Sequence, residues 1–414
     1  MNKLFTLLAL SMLLPVAGIS QTKAEKLAQK ESFKNRDKYL FAARPAQKNF
    51  THTLPFEYSF GQIIVPVVIE GNTYSFMFDT GASTLVSNEL RDKLGMRSIF
   101  SNSMVDGSGQ VEALPFYSIG QLQLGPVTFK DVVGPALDMA KFEKLFCIKL
   151  DGIFGTNIMR TCHWKIDYEA KIITFSDKKI RPEGEITEVG FTENFSGSPM
   201  IQQVIGKYSF HSIMDTGYNG GFKIRDSLFF DSQKNKAIKM VRGRGKSSMT
   251  LFDSKVDDEY SAIIDSIYFD GHLLRNQFVS VAAGDSYLTG NEVFQKFGTV
   301  ILDWHKKKLY LGAKEIKEDK FFKTIGISPV YIDGSLHVGM VWENSIAARH
   351  GVGPGDAIIS INGIPSKNMP QEKWCEIVDL LRNAKAAIKV PIVVQGKNGE
   401  EKKFVLEVTD LFNP

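Results

Sequence analysis

The chain has 414 residues, 43% hydrophobic and 11% aromatic, enough apolar mass to order several domains and to exclude a disordered polypeptide. Fifty Lys and Arg against 46 Asp and Glu leave a net charge of +4, too small and dispersed an excess for a nucleic-acid-binding protein. Three cysteines (Cys147, Cys162, Cys375) permit one disulfide at most and exclude a disulfide scaffold.

Residues 1–20 place Lys3 ahead of an apolar run from Leu4 to Leu14, followed by Pro15 and the small residues Gly18 and Ser20. That layout predicts a cleavable secretory signal, and the run is too short to span a bilayer. No other stretch of eighteen apolar residues follows, so the expectation is an exported protein, periplasmic or secreted, with no membrane span. Residues 21–51 are polar and basic and read as a leader or linker; whether they form a removable propeptide stays open.

Beyond that leader the chain repeats itself. Asp79-Thr80-Gly81 recurs as Asp215-Thr216-Gly217, 136 residues later. The glycine pair Gly107 and Gly109 recurs at the same offset as Gly243 and Gly245, and so does Asp167 as Asp303. A single Asp-Thr-Gly would arise by chance in roughly one chain in ten of this length. Several landmarks in one register instead indicate a duplicated domain, residues 52–178 and 190–312, joined around Lys178–Gly184. Each copy is strand-rich. Ile63–Ile69, a turn at Glu70-Gly71-Asn72, and Thr73–Phe78 read as a hairpin running straight into Asp79. Met200–Ile205, Gly206-Lys207 and Tyr208–Met214 repeat it ahead of Asp215. Short helices are predicted at Ser87–Leu94 and Arg225–Asp231, making the class mostly β, in two similar lobes.

An isolated Asp-Thr-Gly at a strand end is usually a structural turn, with Asp and Thr bonding nearby backbone and Gly taking positive φ. Duplication gives it another meaning. If the lobes pack about a pseudo-twofold axis, Asp79 and Asp215 meet there, and two close carboxylates share one proton. The charged member can then take a proton from an attacking water while the protonated one donates to a carbonyl oxygen.

Phe76-Met77-Phe78-Asp79-Thr80-Gly81-Ala82-Ser83 resembles the signature of the aspartic peptidases, and the lobe length and Ala82 resemble their retroviral type. The resemblance implies two retropepsin-like lobes with Asp79 and Asp215 catalytic. Thr80, Gly81, Thr216 and Gly217 would form the supporting turns. Gly107 and Gly109, with Gly243 and Gly245, would lie in glycine-rich flaps able to hinge over substrate. It also implies an apolar-apolar-Gly brace behind each turn; Ile153-Phe154-Gly155 fits, whereas Leu288-Thr289-Gly290 is one residue out of register and less apolar. Tyr218 replaces the small residue expected after the second motif, where its bulk would crowd the dyad.

After a charged linker, residues 321–411 change character. Gly351-Val352-Gly353-Pro354-Gly355-Asp356-Ala357-Ile358-Ile359-Ser360-Ile361-Asn362-Gly363 is similar to PDZ domains of exported bacterial proteases, and Glu372–Asn383 reads as an amphipathic helix. The resemblance implies a small α+β module that captures a peptide terminus, with Ile325-Gly326-Ile327 as the carboxylate-binding loop. Pro329 would remove one backbone donor there.

The remaining motifs are weak. Gly245-Lys246-Ser247 lacks the earlier glycine of a phosphate loop, since position 240 is Met240. The seven histidines show no metal-ligand spacing, and no Gly-x-Ser-x-Gly elbow exists, so neither metal nor cofactor is expected. Cys147 and Cys162 share a lobe, where a disulfide and two buried thiols both remain open. The sequence therefore points to an exported aspartic endopeptidase, mostly β, with a polypeptide substrate and a C-terminal PDZ domain, monomeric because it carries its own pseudo-dimer. The alternative is a non-catalytic peptide-binding protein whose second lobe has degenerated.

Overall fold

The computed structural model describes residues 23–105, 111–234, 236–245, 257–284, 286–312, 316–382 and 388–413. Residues 1–20, expected as a signal, and the glycines Gly107 and Gly109 lie outside the described residues. The molecule is mostly β, with two lobes and a C-terminal module.

After a leader helix α1 (Lys23–Lys38), the first lobe opens with β1 (Thr51–Pro55), β2 (Gln62–Ile69) and β3 (Asn72–Phe78). Strands β2 and β3 form an antiparallel hairpin about Glu70-Gly71, both at positive φ (49° and 78°), the turn whose twist matches the strands it joins. β2 is buried on both faces, which is why it reads as an unbroken apolar run. Next come β4 (Leu85–Ser87) and α2 (Asn88–Lys93), whose first turn is capped by Ser87 Oγ accepting from Leu90 N at 3.0 Å. Then β5 (Ser98–Val105), β6 (Val111–Leu124) and β7 (Val127–Leu137) build an antiparallel meander. A short helix, α3 (Ala140–Phe146), leads to β8 (Gly152–Phe154), which inserts between β3 and β4. The lobe closes with α4 (Thr156–Met159), β9 (His163–Asp167) and β10 (Ile172–Ser176).

The second lobe repeats this order, without a counterpart of α3 among the described residues. It comprises β11 (Ile186–Gly190), β12 (Pro199–Ile205), β13 (Tyr208–Met214), β14 (Phe222–Arg225), α5 (Asp226–Ser232) and β15 (Met240–Gly245). It continues through β16 (Asp257–Phe269), β17 (His272–Ala282), β18 (Leu288–Thr289), α6 (Asn291–Lys296), β19 (Thr299–Asp303) and β20 (Lys308–Gly312).

The two lobes are stitched together by a six-stranded sheet in the order β11-β20-β19-β9-β10-β1, three strands from each. Its central pair is antiparallel, with His163 opposite Asp303, Lys165 opposite Ile301 and Asp167 opposite Thr299. Each of those positions is the 136-residue repeat of a position on the other strand, so the pseudo-twofold axis passes through the Lys165–Ile301 pair. A single apolar core spans both lobes, with Phe78, Phe154, Trp164 and Phe175 on one side and Phe222, Phe294 and Trp304 on the other.

The C-terminal module contains β21 (Ile327–Ile332), β22 (Ser335–Trp342), α7 (Ile346–Arg349), β23 (Ala357–Ile361), α8 (Gln371–Arg382), β24 (Lys389–Gln395) and β25 (Glu401–Glu407). It has a core of its own around Leu336, Ile358, Trp374, Ile377 and Val390. It is nevertheless continuous with the second lobe, because β15 pairs with β22 and one 14-stranded sheet runs through both.

Trp164 sits at the centre of the first lobe, fully buried, 5.2 Å from Phe78 and 5.1 Å from Phe175 by ring centroids, with its indole N–H donating to Met159 O at 2.6 Å. Trp164→Ala is expected to destabilise the chain by about 3–5 kcal/mol, read as a lowered urea midpoint.

Candidate active site

Strands β3 and β13 each end at an aspartate, and each is held from behind by a parallel neighbour. Phe154 of β8 lies beside Phe78, and its carbonyl accepts from Asp79 N at 3.0 Å. Thr289 of β18 lies beside Met214, and its carbonyl accepts from Asp215 N at 2.9 Å. The braces are therefore equivalent, and the one-residue slip in the second copy is absorbed outside the motif.

The adjoining threonines cross the lobe interface in a reciprocal lock. Thr80 N donates to Thr216 Oγ1 at 3.0 Å and Thr216 N to Thr80 Oγ1 at 3.1 Å. Each hydroxyl passes its proton on to the opposite strand, Thr80 Oγ1 to Met214 O at 2.6 Å and Thr216 Oγ1 to Phe78 O at 2.7 Å. Both threonines are fully buried, so all four bonds are made out of contact with water.

This lock brings the two carboxyl groups within hydrogen-bonding reach of each other. A Cβ on Gly81 would stand 2.6 Å from Asp215 Cγ, and one on Gly217 would stand 2.5 Å from Asp79 Cγ. Neither glycine has positive φ, so close approach of the opposite carboxyl, and not turn geometry, excludes a side chain. Gly81 N donates to Asp79 Oδ1 at 2.6 Å; Gly217 N and Tyr218 N donate to Asp215 Oδ1 at 2.9 and 3.0 Å. Burial raises both carboxyls above the ordinary range, and the charge of Asp79 raises Asp215 further. Backbone N–H groups lower both carboxyls in part, and the two titrate as one coupled pair able to share a proton.

The Tyr218 ring packs over Gly290 and Gly220, close enough that a Cβ on either would overlap it, and its hydroxyl lies near Ser280 of β17. The polar residue in the second brace is also accommodated. Val67, Phe76 and Phe154 of the first lobe are replaced by Gln203, Ser212 and Thr289, all buried. Gln203 Nε2 donates to Ser212 Oγ at 2.5 Å and to Thr289 Oγ1 at 2.7 Å, and the two hydroxyls are 2.7 Å apart.

Sequence reading missed a second symmetric layer. Gln62 Nε2 donates to Gly217 O at 3.0 Å and Ser198 Oγ to Gly81 O at 3.0 Å, each reaching across to the other motif. The two residues are 136 apart, so aligning the copies would have paired them, although Gln and Ser share no obvious type. Asn291 adds Nδ2 bonds to Gly61 O at 2.7 Å and Thr216 O at 2.6 Å.

Residues 65–158 match the family model for aspartyl proteases. The match supports a protease-like function, covers well under half the chain, and contains Asp79 but not Asp215. No curated protein sequence matches. Among solved structures, the crystal structure of Basic 7S globulin from soybean is similar with a TM-score of 0.36 and 9% identity, over 64% of this chain and 95% of that one.

The other predicted positions fall elsewhere. Gly243 and Gly245 lie on β15 opposite Trp342 and Met340, and a Cβ on Gly245 would stand 2.0 Å from Gly339 O. At these two glycines a module strand comes close. Ile325 and Ile327 are buried, and Gly326 between them, at φ 86°, accepts from Trp342 N at 3.0 Å. The cysteine expectation is corrected. Cys147 is disulfide-bonded to Cys375, 228 residues away, and Cys162 is a buried free thiol pushed up to about 12 by burial. Cys162 lies within the core around Trp164, where a partner could not reach it. Among the described residues no cluster of three His, Cys, Asp or Glu could hold a metal, and no helix is long and apolar enough to cross a membrane.

Replacing Thr80 or Thr216 by Val should cost about 1–3 kcal/mol each, because buried partners in the opposite lobe lose their bonds; denaturant unfolding measures it. Carboxyls raised in the folded state contribute stability that is complete below the unfolded value of about 3.9 and lost as pH rises through the folded value. Asp215→Asn is therefore expected to melt higher than the wild type near pH 7, with the difference shrinking toward pH 3 in a series of thermal scans.

Proposed function

We propose that the protein is an exported aspartic endopeptidase in which Asp79 and Asp215 activate one water against a peptide carbonyl. The observation that carries this reading is the meeting of the two aspartates, one from each lobe, with each motif's glycine closed on the other's carboxyl. The ionised member of the pair takes a proton from water as the oxygen attacks, and the protonated member donates to the carbonyl oxygen where charge develops. Collapse of the tetrahedral intermediate passes a proton to the leaving amine. This division of labour is the established one for aspartic proteases as a class. It requires one proton on the pair, so the rate should fall on both sides of a pH optimum.

The substrate is a polypeptide held extended between the lobes, and the hairpins β5–β6 and β15–β16 are placed in the chain where the family's flaps occur. The C-terminal module is a PDZ-type peptide-binding domain in this reading, and one chain suffices as the active unit. Export is supported by the signal-like residues 1–20 and by a disulfide between distant segments, a bond that persists in oxidising compartments.

The test is hydrolysis of a mixed peptide library by residues 21–414 from pH 3 to 8, with and without a dithiol. Asp79→Asn and Asp215→Asn are each expected to lower the rate at least about a hundredfold. A folded wild type that binds the peptides and returns every one intact would instead establish the non-catalytic reading. Cleavage surviving both substitutions would rule out the dyad.

A further inference from the structure

The module is tied to both lobes, by different means on each side. Toward the second lobe the tie is backbone pairing, β15 to β22, reinforced by Glu343 N donating to Arg242 O at 2.8 Å. Toward the first lobe the tie is the Cys147–Cys375 disulfide, which joins the residue after α3 to α8. Helix α3 itself rests on both β21 and α8. Gln371 Nε2 donates to Glu143 O at 3.0 Å and to Lys144 O at 3.3 Å, while Trp374 Nε1 donates to Lys144 O at 2.6 Å. Trp374 is stacked in turn on Tyr331 of β21. β21 pairs only with β22 among the described strands, so its other edge is the side a further strand could join. Residues 140–147 thus fill the space between an open strand edge and a helix. Five residues beyond Cys147 begins β8, the strand whose Phe154 carbonyl holds Asp79.

We propose that the Cys147–Cys375 disulfide is a redox latch: closed, it holds the module across both lobes with its groove filled by residues 140–147; opened, it vacates that groove for an extended peptide. Opening consumes a dithiol. One of its thiolates attacks a disulfide sulfur to give a mixed disulfide, and its second thiol displaces the chain, leaving two cysteine thiols on the protein and a disulfide on the reductant. Residues 140–147, anchored to the first lobe through Phe142, then meet the module without a covalent tie, through the Gln371 and Trp374 bonds and the packing of α3. Strand β15 moves with a module no longer covalently anchored to the first lobe. The occupancy of the groove by peptide rests on the peptide-binding reading of the module; the latch does not.

Two measurements separate these. The first is amide hydrogen exchange on residues 21–414 carrying Asp79→Asn, oxidised and after treatment with dithiothreitol, with Cys147→Ser as a reductant-free opening. Exchange in residues 140–147 and 240–245 should rise at least tenfold on opening, while residues 79–81 stay protected and Cys162→Ser behaves as its parent. Unchanged exchange in either segment overturns the latch, whatever the protein's activity. The second uses a fluorescent peptide of residues 138–149 with serine at 147 as the probe. It should bind the opened chain at least tenfold more tightly than the oxidised chain, and Gln371→Ala should weaken it. Equal binding to both forms, or to neither, overturns the groove's occupancy.

Discussion

Everything at the candidate site depends on two threonine hydroxyls being bonded to the opposite lobe. Thr80 and Thr216 each accept from the other's backbone N–H and donate to a carbonyl one strand away. Each hydroxyl has its donor and one acceptor site engaged across the interface, so neither turn can shift without leaving a buried group unpaired. The carboxyl groups beside those threonines inherit that rigidity. Their proximity would be costly for two charges, and sharing one proton is what makes it tolerable.

Symmetry supplies this arrangement, and the departures from symmetry show where the copies have diverged. The central pair of the interface sheet and the two strand braces keep the twofold relation. The trio Val67, Phe76 and Phe154 against Gln203, Ser212 and Thr289 does not. A lone polar residue in that core would have been expensive, but three that bond one another form a connected network. The bulk of Tyr218 is likewise taken up, by two glycines.

The module breaks the symmetry outright. It extends the sheet of the second lobe through β15, so the region that family resemblance assigns to a free flap has a neighbour along its edge. The first lobe is attached instead through a covalent bond. A strand pairing and a disulfide respond to different influences, and only the second answers to the redox state of the surroundings.

The duplicated lobes, the mostly β class and the meeting of Asp79 with Asp215 were legible in the chain, because a fixed 136-residue offset and hairpins ending at both aspartates are local, repeated signals. The helix over Gln371–Arg382 was legible for the same reason, its apolar positions recurring at helical spacing. Gln62 and Ser198 were not, since what they share is a target across the interface and not a residue type. The partner of Cys147 was decided 228 residues away, by packing between two domains that no spacing rule connects. The close approach of β22 to Gly243 and Gly245 was likewise hidden, since a glycine in a sequence does not say which backbone will lie beside it. Sequence by itself determined what recurs along one stretch of chain, while the tertiary structure decided every feature that depends on which distant backbone lies alongside, because contact across space leaves no periodic trace in the residues that make it.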